Sequence, residues 1–282
     1  SGSLLRALAW LLHPLDRSVT LEGGDGERAL VRVGAGAEWD DFVGWAVGQG
    51  LGGIENLSLI PGCAGAAPVQ NIGAYGVEAK DTIESVECYL PDEDRVVALS
   101  NAECRFGYRD SVFKRELRSR AVILSVLFGL SRRPEFRLRY EDVSRRVDEL
   151  GGPSLKNIRE AVVAIRRAKL PDPKVLGNAG SFFMNPIVPR RQFESLQREY
   201  PDMPHYDVDA GRVKIPAAWM IDRCGWKGKA LGPAAVHGRQ ALVLVNSGGA
   251  TGADIVALSD AVRASVREKF GIDIHPEVCL IK

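Results

Sequence analysis

Ile60-Pro-Gly-Cys-Ala-Gly-Ala-Ala-Pro-Val-Gln-Asn-Ile-Gly-Ala-Tyr-Gly76 is the stretch on which the reading of this chain turns. Its seventeen residues include four glycines, four alanines and two prolines, too little bulk to fill a core. Glycine and alanine leave main-chain N–H groups uncovered, so something large and flat can lie against bare backbone. Pro61 and Pro68 fix φ, which makes the loop rigid before a ligand arrives. The plain alternative is a small-residue turn between two elements, but long loops without structure of their own are usually functional.

Outward from this loop, residues 18–21 and 29–33 read as short strands about the turn Gly23-Gly24-Asp25-Gly26. Trp39, Phe42, Val43, Ala46 and Val47 repeat at helical spacing, and Gly50 stands where a glycine ends a helix. Strand-like runs follow at residues 85–90, 95–99 and 121–130. Ser154 caps a helix carrying Ile158, Val162 and Ile165, with Arg166, Arg167 and Lys169 in its last turn. Leu170-Pro-Asp-Pro-Lys174 breaks that pattern and marks the main domain boundary. A second small-residue turn, Gly177-Asn-Ala-Gly-Ser181, opens the other half. Short helices are expected near residues 193–200 and 217–224, and a buried strand over 241–246. Ile255, Leu258, Val262, Val266 and Phe270 make an amphipathic helix started by Thr251 and stopped by Gly271. Residues 272–281 read as a closing strand. Helices and strands mix without βαβα alternation, an α+β pattern.

At 282 residues the chain suits two domains, and 45% hydrophobic with 26% charged residues is ordinary soluble composition. A net charge of +1 gives no general attraction to nucleic acid or to an anionic membrane. No apolar run reaches the length of a bilayer span. Residues 4–12 are apolar but lack the basic flank and cleavage site of a secretory signal. The five cysteines (Cys63, Cys88, Cys104, Cys224 and Cys279) show no Cys-x-x-Cys spacing and read as free thiols of a reducing cytoplasm. The four histidines form no i, i+4 pair, so no metal site is expected.

Three polar residues stand out by context. Arg109 lies among aromatics in Phe106-Gly-Tyr-Arg-Asp-Ser-Val-Phe113, and its forked, permanent charge suits a carboxylate or an enolate oxygen. A surface ion pair with Asp110 or Glu116 is its bland reading. Ser181 follows Gly180 and precedes two phenylalanines, where a hydroxyl can be presented to a ligand. It is no nucleophile elbow, since Gly-x-Ser-x-Gly is absent, and a turn cap is the plainer role. Glu277 follows Pro276 on an apolar segment, sharing a face with Cys279 and Ile281 on strict alternation. Burial there raises a carboxyl pKa and favours proton transfer or hydrogen bonding, whereas a solvated edge-strand charge is commoner. Arg166, Arg167, Lys169, Lys174, Lys227 and Lys229 suggest a phosphorylated small molecule, or simply a solvated basic face.

The strings VGAGAEW, ENLSLIPGCAGAAPVQNIGAYGVE, CRFGYRDSVFK, KLPDPKVLGNAGSFFMNPIV, AAWMIDRCGWKGKALGPAAVHGRQALVLVN and EKFGIDIHPEVCLI occur in that order. Together they resemble the UDP-N-acetylmuramate dehydrogenase family, also called UDP-N-acetylenolpyruvoylglucosamine reductase, in the subgroup with a mobile tyrosine loop. The resemblance spans nearly everything from about residue 18 onward.

It implies a cytoplasmic bacterial flavoenzyme of peptidoglycan precursor synthesis, acting as a monomer on a small molecule, UDP-N-acetylglucosamine enolpyruvate. NADPH would reduce FAD, and hydride would then pass to the methylene carbon of the enolpyruvyl ether. Ser181 matches the family's proton donor. Arg109 and Glu277 match the pair that polarises the substrate carboxylate and stabilises the enolate, a task for preorganised donors. Glu277 would then be protonated or linked through water. Pro61, Gly62, Gly65, Ala66, Ala67, Asn71, Gly73 and Tyr75 match the flavin-binding segment. Tyr140 matches the lid tyrosine, and Lys169, Asn185 and Gln240 match positions that contact the nucleotide sugar.

The fold implied is a FAD-binding domain of the vanillyl-alcohol-oxidase/PCMH-like type followed by an α+β substrate-binding domain. The boundaries expected are 1–170, 171–270, and a last strand over 271–282 returning to the FAD domain. The family opens with a further βαβ subdomain whose Gly-rich loop holds the FAD diphosphate. Nothing before Trp10 supplies it, so the FAD-binding domain is expected to be partial. Two rivals follow: an alcohol-oxidising flavoenzyme of the same superfamily, and a non-catalytic UDP-sugar-binding protein unable to hold FAD.

Overall fold

The computed structural model describes residues 13–278 and 280. The apolar stretch 4–12 and the positions Cys279 and Ile281 lie outside the described residues. Two compact units divide the chain, the first ending at Ile165 and the second beginning at Arg166.

The first unit is built on an antiparallel five-stranded sheet. Its strands are β1 (Val19–Gly24), β2 (Arg28–Gly34), β5 (Ile83–Leu90), β6 (Arg95–Ser100) and β7 (Val122–Ser131), in spatial order β1-β2-β7-β5-β6. Alternation decides which face is buried: Ala29, Val31 and Val33 of β2 face inward with Val126, Phe128 and Leu130 of β7 and Val86 and Cys88 of β5. Helix α1 (Trp39–Gly48) covers that face, its Trp39 and Phe42 rings 5.9 and 5.0 Å from Phe128. A two-stranded hairpin, β3 (Gly73–Ala74) and β4 (Val77–Glu78), ends the small-residue loop. Helices α2 (Glu141–Glu149) and α3 (Leu155–Lys169) bury Val143, Val147, Ile158 and Val162 against each other, with Tyr75 and Tyr140 packed beside them. Ser154 caps α3 as expected, its hydroxyl accepting from the Asn157 N–H at 3.0 Å.

In the second unit a four-stranded sheet has the order β12 (Ala230–Leu231), β13 (Ala234–Val236), β14 (Val243–Asn246), β8 (Asn178–Ser181). A three-stranded sheet joins β10 (Tyr206–Asp209), β11 (Arg212–Lys214) and β9 (Ile187–Pro189). Helices α4 (Arg190–Glu199), α5 (Ala217–Arg223) and α6 (Gly252–Phe270) complete it. The core gathers Phe182, Phe183, Met220, Ile221, Leu258, Val262, Val266 and Phe270. Thr251 and Asp254 close a reciprocal cap at the start of α6.

Two expectations change. The unit boundary falls inside α3, ahead of the Leu170-Pro break. Of the closing strand expected over 272–281, the described residues show one isolated bridge, Phe183 with Pro276, flanked by main-chain hydrogen bonds from Met184 to His275 and from Glu277 to Phe182. Ile272, Ile274 and Val278 pack into the second unit's own core.

Candidate active site

The loop 60–76 has an inner and an outer surface. Ala64, Ala67 and Ile72 join the first core, while Pro61, Gly62 and Ala66 are exposed. Small residues therefore do fill a core here, because the loop lies directly on β2's outgoing segment. A Cβ on Gly65 would stand 2.6 Å from that of Ala35, too close to be accommodated. The expectation of uncovered N–H groups is also corrected. Those of Ala64, Gly65, Ala66, Ala67, Val69, Asn71 and Ile72 are committed to main-chain carbonyls, as backbone donors shut from water must be.

Buried and half-buried side chains pin the loop from below. The Asp40 carboxylate accepts from the Leu59 N–H at 2.5 Å and forms a two-pronged pair with Arg159 at 2.6 and 3.0 Å. Ser111 donates its hydroxyl to the Val69 carbonyl at 2.5 Å. Asn71, wholly buried, donates to the Gly107 carbonyl (2.8 Å) and to Glu78 (3.1 Å) and accepts from the Lys80 N–H (2.9 Å). The side chains of Ala67 and Asn71 thus support the loop from inside, in place of the cofactor contact expected of them. Pro61, Gly62, Gly65, Ala66, Gly73 and Tyr75 remain at least partly accessible.

Arg109 joins this assembly. Its guanidinium donates to the Gly73 carbonyl at 2.6 Å and lies 5.2 Å from the Tyr108 ring centroid. Asp110 pairs with Arg115 and Glu116 with Arg105, so both carboxylates of its bland reading have other arginines. Asn71, Tyr75 and Arg109 are non-glycine residues with φ of +46°, +48° and +54°. Such backbone collects where surrounding structure over-determines it, often at functional sites. At Tyr75 the reason is local, since Tyr75 and Gly76 (φ +82°) form the two-residue link of the β3–β4 hairpin.

Part of the loop's outer surface carries no bulk. At Gly62 (φ +111°) an added Cβ would meet nothing within 4 Å, and Ala66 beside it is exposed. A floor of this kind, fixed beneath by hydrogen bonds and bare above, accepts a planar cofactor without rearranging. Tyr140 stands at the head of α2, its ring 5.7 Å from that of Tyr75 and edge-on at 85°.

In the second unit, backbone pairing gathers three expected residues, Ser181, Gln240 and Glu277. Ser181 ends β8 opposite Val243 of β14, and the Phe182 N–H donates to the Leu242 carbonyl at 2.7 Å. Gln240 begins that stretch, accepting from the N–H groups of Val243 (3.0 Å, main chain) and Leu242 (3.3 Å, side chain). On the other side the Glu277 N–H donates to the Phe182 carbonyl at 2.7 Å and the Met184 N–H to the His275 carbonyl at 2.9 Å. Ser181 and Glu277 are therefore neighbours, each half-buried. Among the described residues nothing takes up the Ser181 hydroxyl, which leaves it available to a ligand. Asn185 accepts from the Ala217 N–H at 2.9 Å and so fixes the start of α5. Lys169, at the end of α3, is exposed.

His237 was not singled out by sequence. Its N–H donates to the Val243 carbonyl at 2.9 Å, and its Nδ1 is buried without a partner among the described residues. Burial, then the nearby Arg239, hold its pKa below the ordinary histidine value, so the ring is neutral near pH 7. Its place inside the AAVHGRQALVLVN string was the only available signal. Burial, with Cys88 and Glu103 nearby, pushes the Cys104 thiol up to about 12, and burial raises Cys88 and Cys224 as well, so none of these three is a ready nucleophile. No group of three or more potential metal ligands occurs among the described residues, and no helix there is long and apolar enough to cross a membrane.

Residues 12–99 match a family model described as an FAD binding domain, and residues 172–281 match the C-terminal domain of UDP-N-acetylenolpyruvoylglucosamine reductase. A protein of that name from Bacteroides fragilis is 58% identical over 271 residues, covering 96% of this chain and 81% of its own length. One from Paraburkholderia xenovorans is 52% identical, covering 91% and 75%. The crystal structure of the reductase from Thermus caldophilus superposes with a TM-score of 0.60 at 25% identity, covering 87% of this chain and 70% of that one. Relatives so similar over so much of both lengths place the chain in the UDP-N-acetylenolpyruvoylglucosamine reductase family.

Proposed function

We propose that this chain reduces the enolpyruvyl ether of UDP-N-acetylglucosamine to the lactyl ether of UDP-N-acetylmuramate, with Ser181 as proton donor. It is an FAD-dependent oxidoreductase using NADPH, and its reaction serves peptidoglycan precursor synthesis. The observation that carries the residue assignment is the ladder around Phe182, which sets a Ser181 hydroxyl with no described partner beside Glu277 and Gln240. Bound FAD supplies the hydride that adds to the enolpyruvyl methylene carbon.

The chain's residues then have distinct tasks. The Ser181 hydroxyl gives its proton to the carboxylate-bearing carbon, turning the C=C bond into a C–C bond. Arg109 and Glu277 polarise the substrate carboxylate and steady the enolate. Pro61, Gly62, Gly65, Ala66, Gly73 and Tyr75 hold the flavin. Tyr140, Lys169, Asn185 and Gln240 hold the nucleotide sugar, and a lysine at a basic helix end suits a diphosphate. The first unit serves as FAD-binding domain and the second as substrate domain, in a monomer of the bacterial cytoplasm.

A colour cycle tests this. The purified protein, loaded with FAD, is expected to be yellow, to bleach with NADPH without oxygen, and to regain colour when UDP-N-acetylglucosamine enolpyruvate is added. Recolouring by oxygen alone would instead assign it to the alcohol-oxidising flavoenzymes. A colourless protein that binds UDP-sugar and refuses FAD would make it a binding protein.

A further inference from the structure

Asn56 lies in the short 3-10 turn Glu55–Leu57 and is wholly buried. Its amide nitrogen donates to two main-chain carbonyls, Tyr75 at 3.0 Å and Arg137 at 2.9 Å. Both partners are acceptors, so only the N–H edge of the amide can face them. Tyr75 is the hairpin residue that closes the small-residue loop. Arg137 stands in the irregular run that leads to Tyr140. The Arg137 guanidinium repeats the tie from the surface, reaching the Gly76 carbonyl at 3.3 Å and Asp81 at 2.8 Å. Above these bonds the Tyr140 ring meets the Tyr75 ring. The Asn56 Oδ1 is buried with no partner among the described residues. An unmade hydrogen bond of this kind is costly, and an apolar side chain would avoid it. Packing alone gives no reason for an amide here; the two carbonyls do.

We propose that Asn56 is a positioning residue, tying the last turn of the flavin loop to the stem that carries Tyr140. It thereby sets how firmly the lid tyrosine meets the nucleotide sugar. This rests on the reading that Tyr140 contacts the UDP-sugar. Loss of the tie leaves Ser181, Arg109 and Glu277 in place, so it weakens substrate capture without slowing the saturated enzyme.

The experiment compares Asn56→Asp, which keeps size but lacks the N–H edge, with Tyr140→Ala and the double variant. KM and kcat are measured on FAD-loaded enzyme, and amide hydrogen exchange over residues 134–140 on protein without nucleotide. Asn56→Asp should raise KM for the enolpyruvyl substrate about tenfold, hold kcat within about twofold and speed exchange in that segment. In the Tyr140→Ala background it should add nothing to KM. Arg137→Ala, whose side chain is half exposed, loosens the same stem without entering the core and should give a smaller rise with the same exchange. Unchanged KM and exchange in Asn56→Asp and Arg137→Ala would overturn the proposal, as would full multiplicity of the Asn56 and Tyr140 effects. If Tyr140→Ala itself leaves KM unchanged, the role given to Tyr140 fails, and the proposal falls with it.

Discussion

The loop 60–76 and the Ser181–Asn185 crossing solve opposite problems. In the loop, the buried Asn71 and Ser111 and the half-buried Asp40 do the structural holding, and the backbone becomes the working surface. At the crossing, main-chain bonds from Phe182 and Met184 do most of the holding, with the Asn185 amide fixing the start of α5, and the Ser181 side chain is left to work. A planar cofactor needs a fixed shape, which a braced backbone provides. Proton transfer and recognition of a sugar nucleotide need particular functional groups, which only side chains provide. The difference teaches that a polar residue's importance for stability and for chemistry should part company between the two regions.

Substitutions can break that contrast. Asn71→Ala removes the partners of the Gly107 carbonyl and the Lys80 N–H inside the protein. Leaving them unsatisfied should cost about 3 kcal/mol of stability, read by urea unfolding, and flavin should be lost on desalting. Stability within error of the parent would mean that the loop is not held from below. Gln240→Ala gives up one long side-chain bond, 3.3 Å to the Leu242 N–H, at a half-buried position. It should cost less than about 1 kcal/mol, yet raise KM for the UDP-sugar several-fold while flavin stays bound. A large stability loss with unchanged KM would place Gln240 with the braces and erase the contrast.

Much of this architecture was legible from local pattern. The alternation of β2 and β5, the spacing along α6 with its Thr251 cap, and the composition of the loop each carry their own physical signal. Helix α2 was missed because Glu141–Glu149 holds only two apolar residues, Val143 and Val147, and their partners lie on α3. Strands β9 to β11 are three or four residues long, and β10 is exposed throughout, so pairing creates them where propensity does not. The closing segment alternates as a strand does, burying Ile272 and Ile274, but among the described residues it pairs only around Pro276. Ser181, Gln240 and Glu277 carry nothing in their immediate sequence that says they meet; the family strings pointed to them, and the ladder at Phe182 explains how they meet. Asn56 had no signal beyond its place in the string that opens at Glu55, because nothing local marks Tyr75 and Arg137 as its partners.

The central claim is that Ser181 delivers a proton to carbon and takes no part in reducing the flavin. Rapid-mixing measurement of the two half-reactions in Ser181→Ala tests it directly. Flavin reduction by NADPH should keep its parent rate, while reoxidation by UDP-N-acetylglucosamine enolpyruvate should slow by about a hundredfold or more. Equal slowing of both half-reactions, or an unchanged second one, would contradict the account.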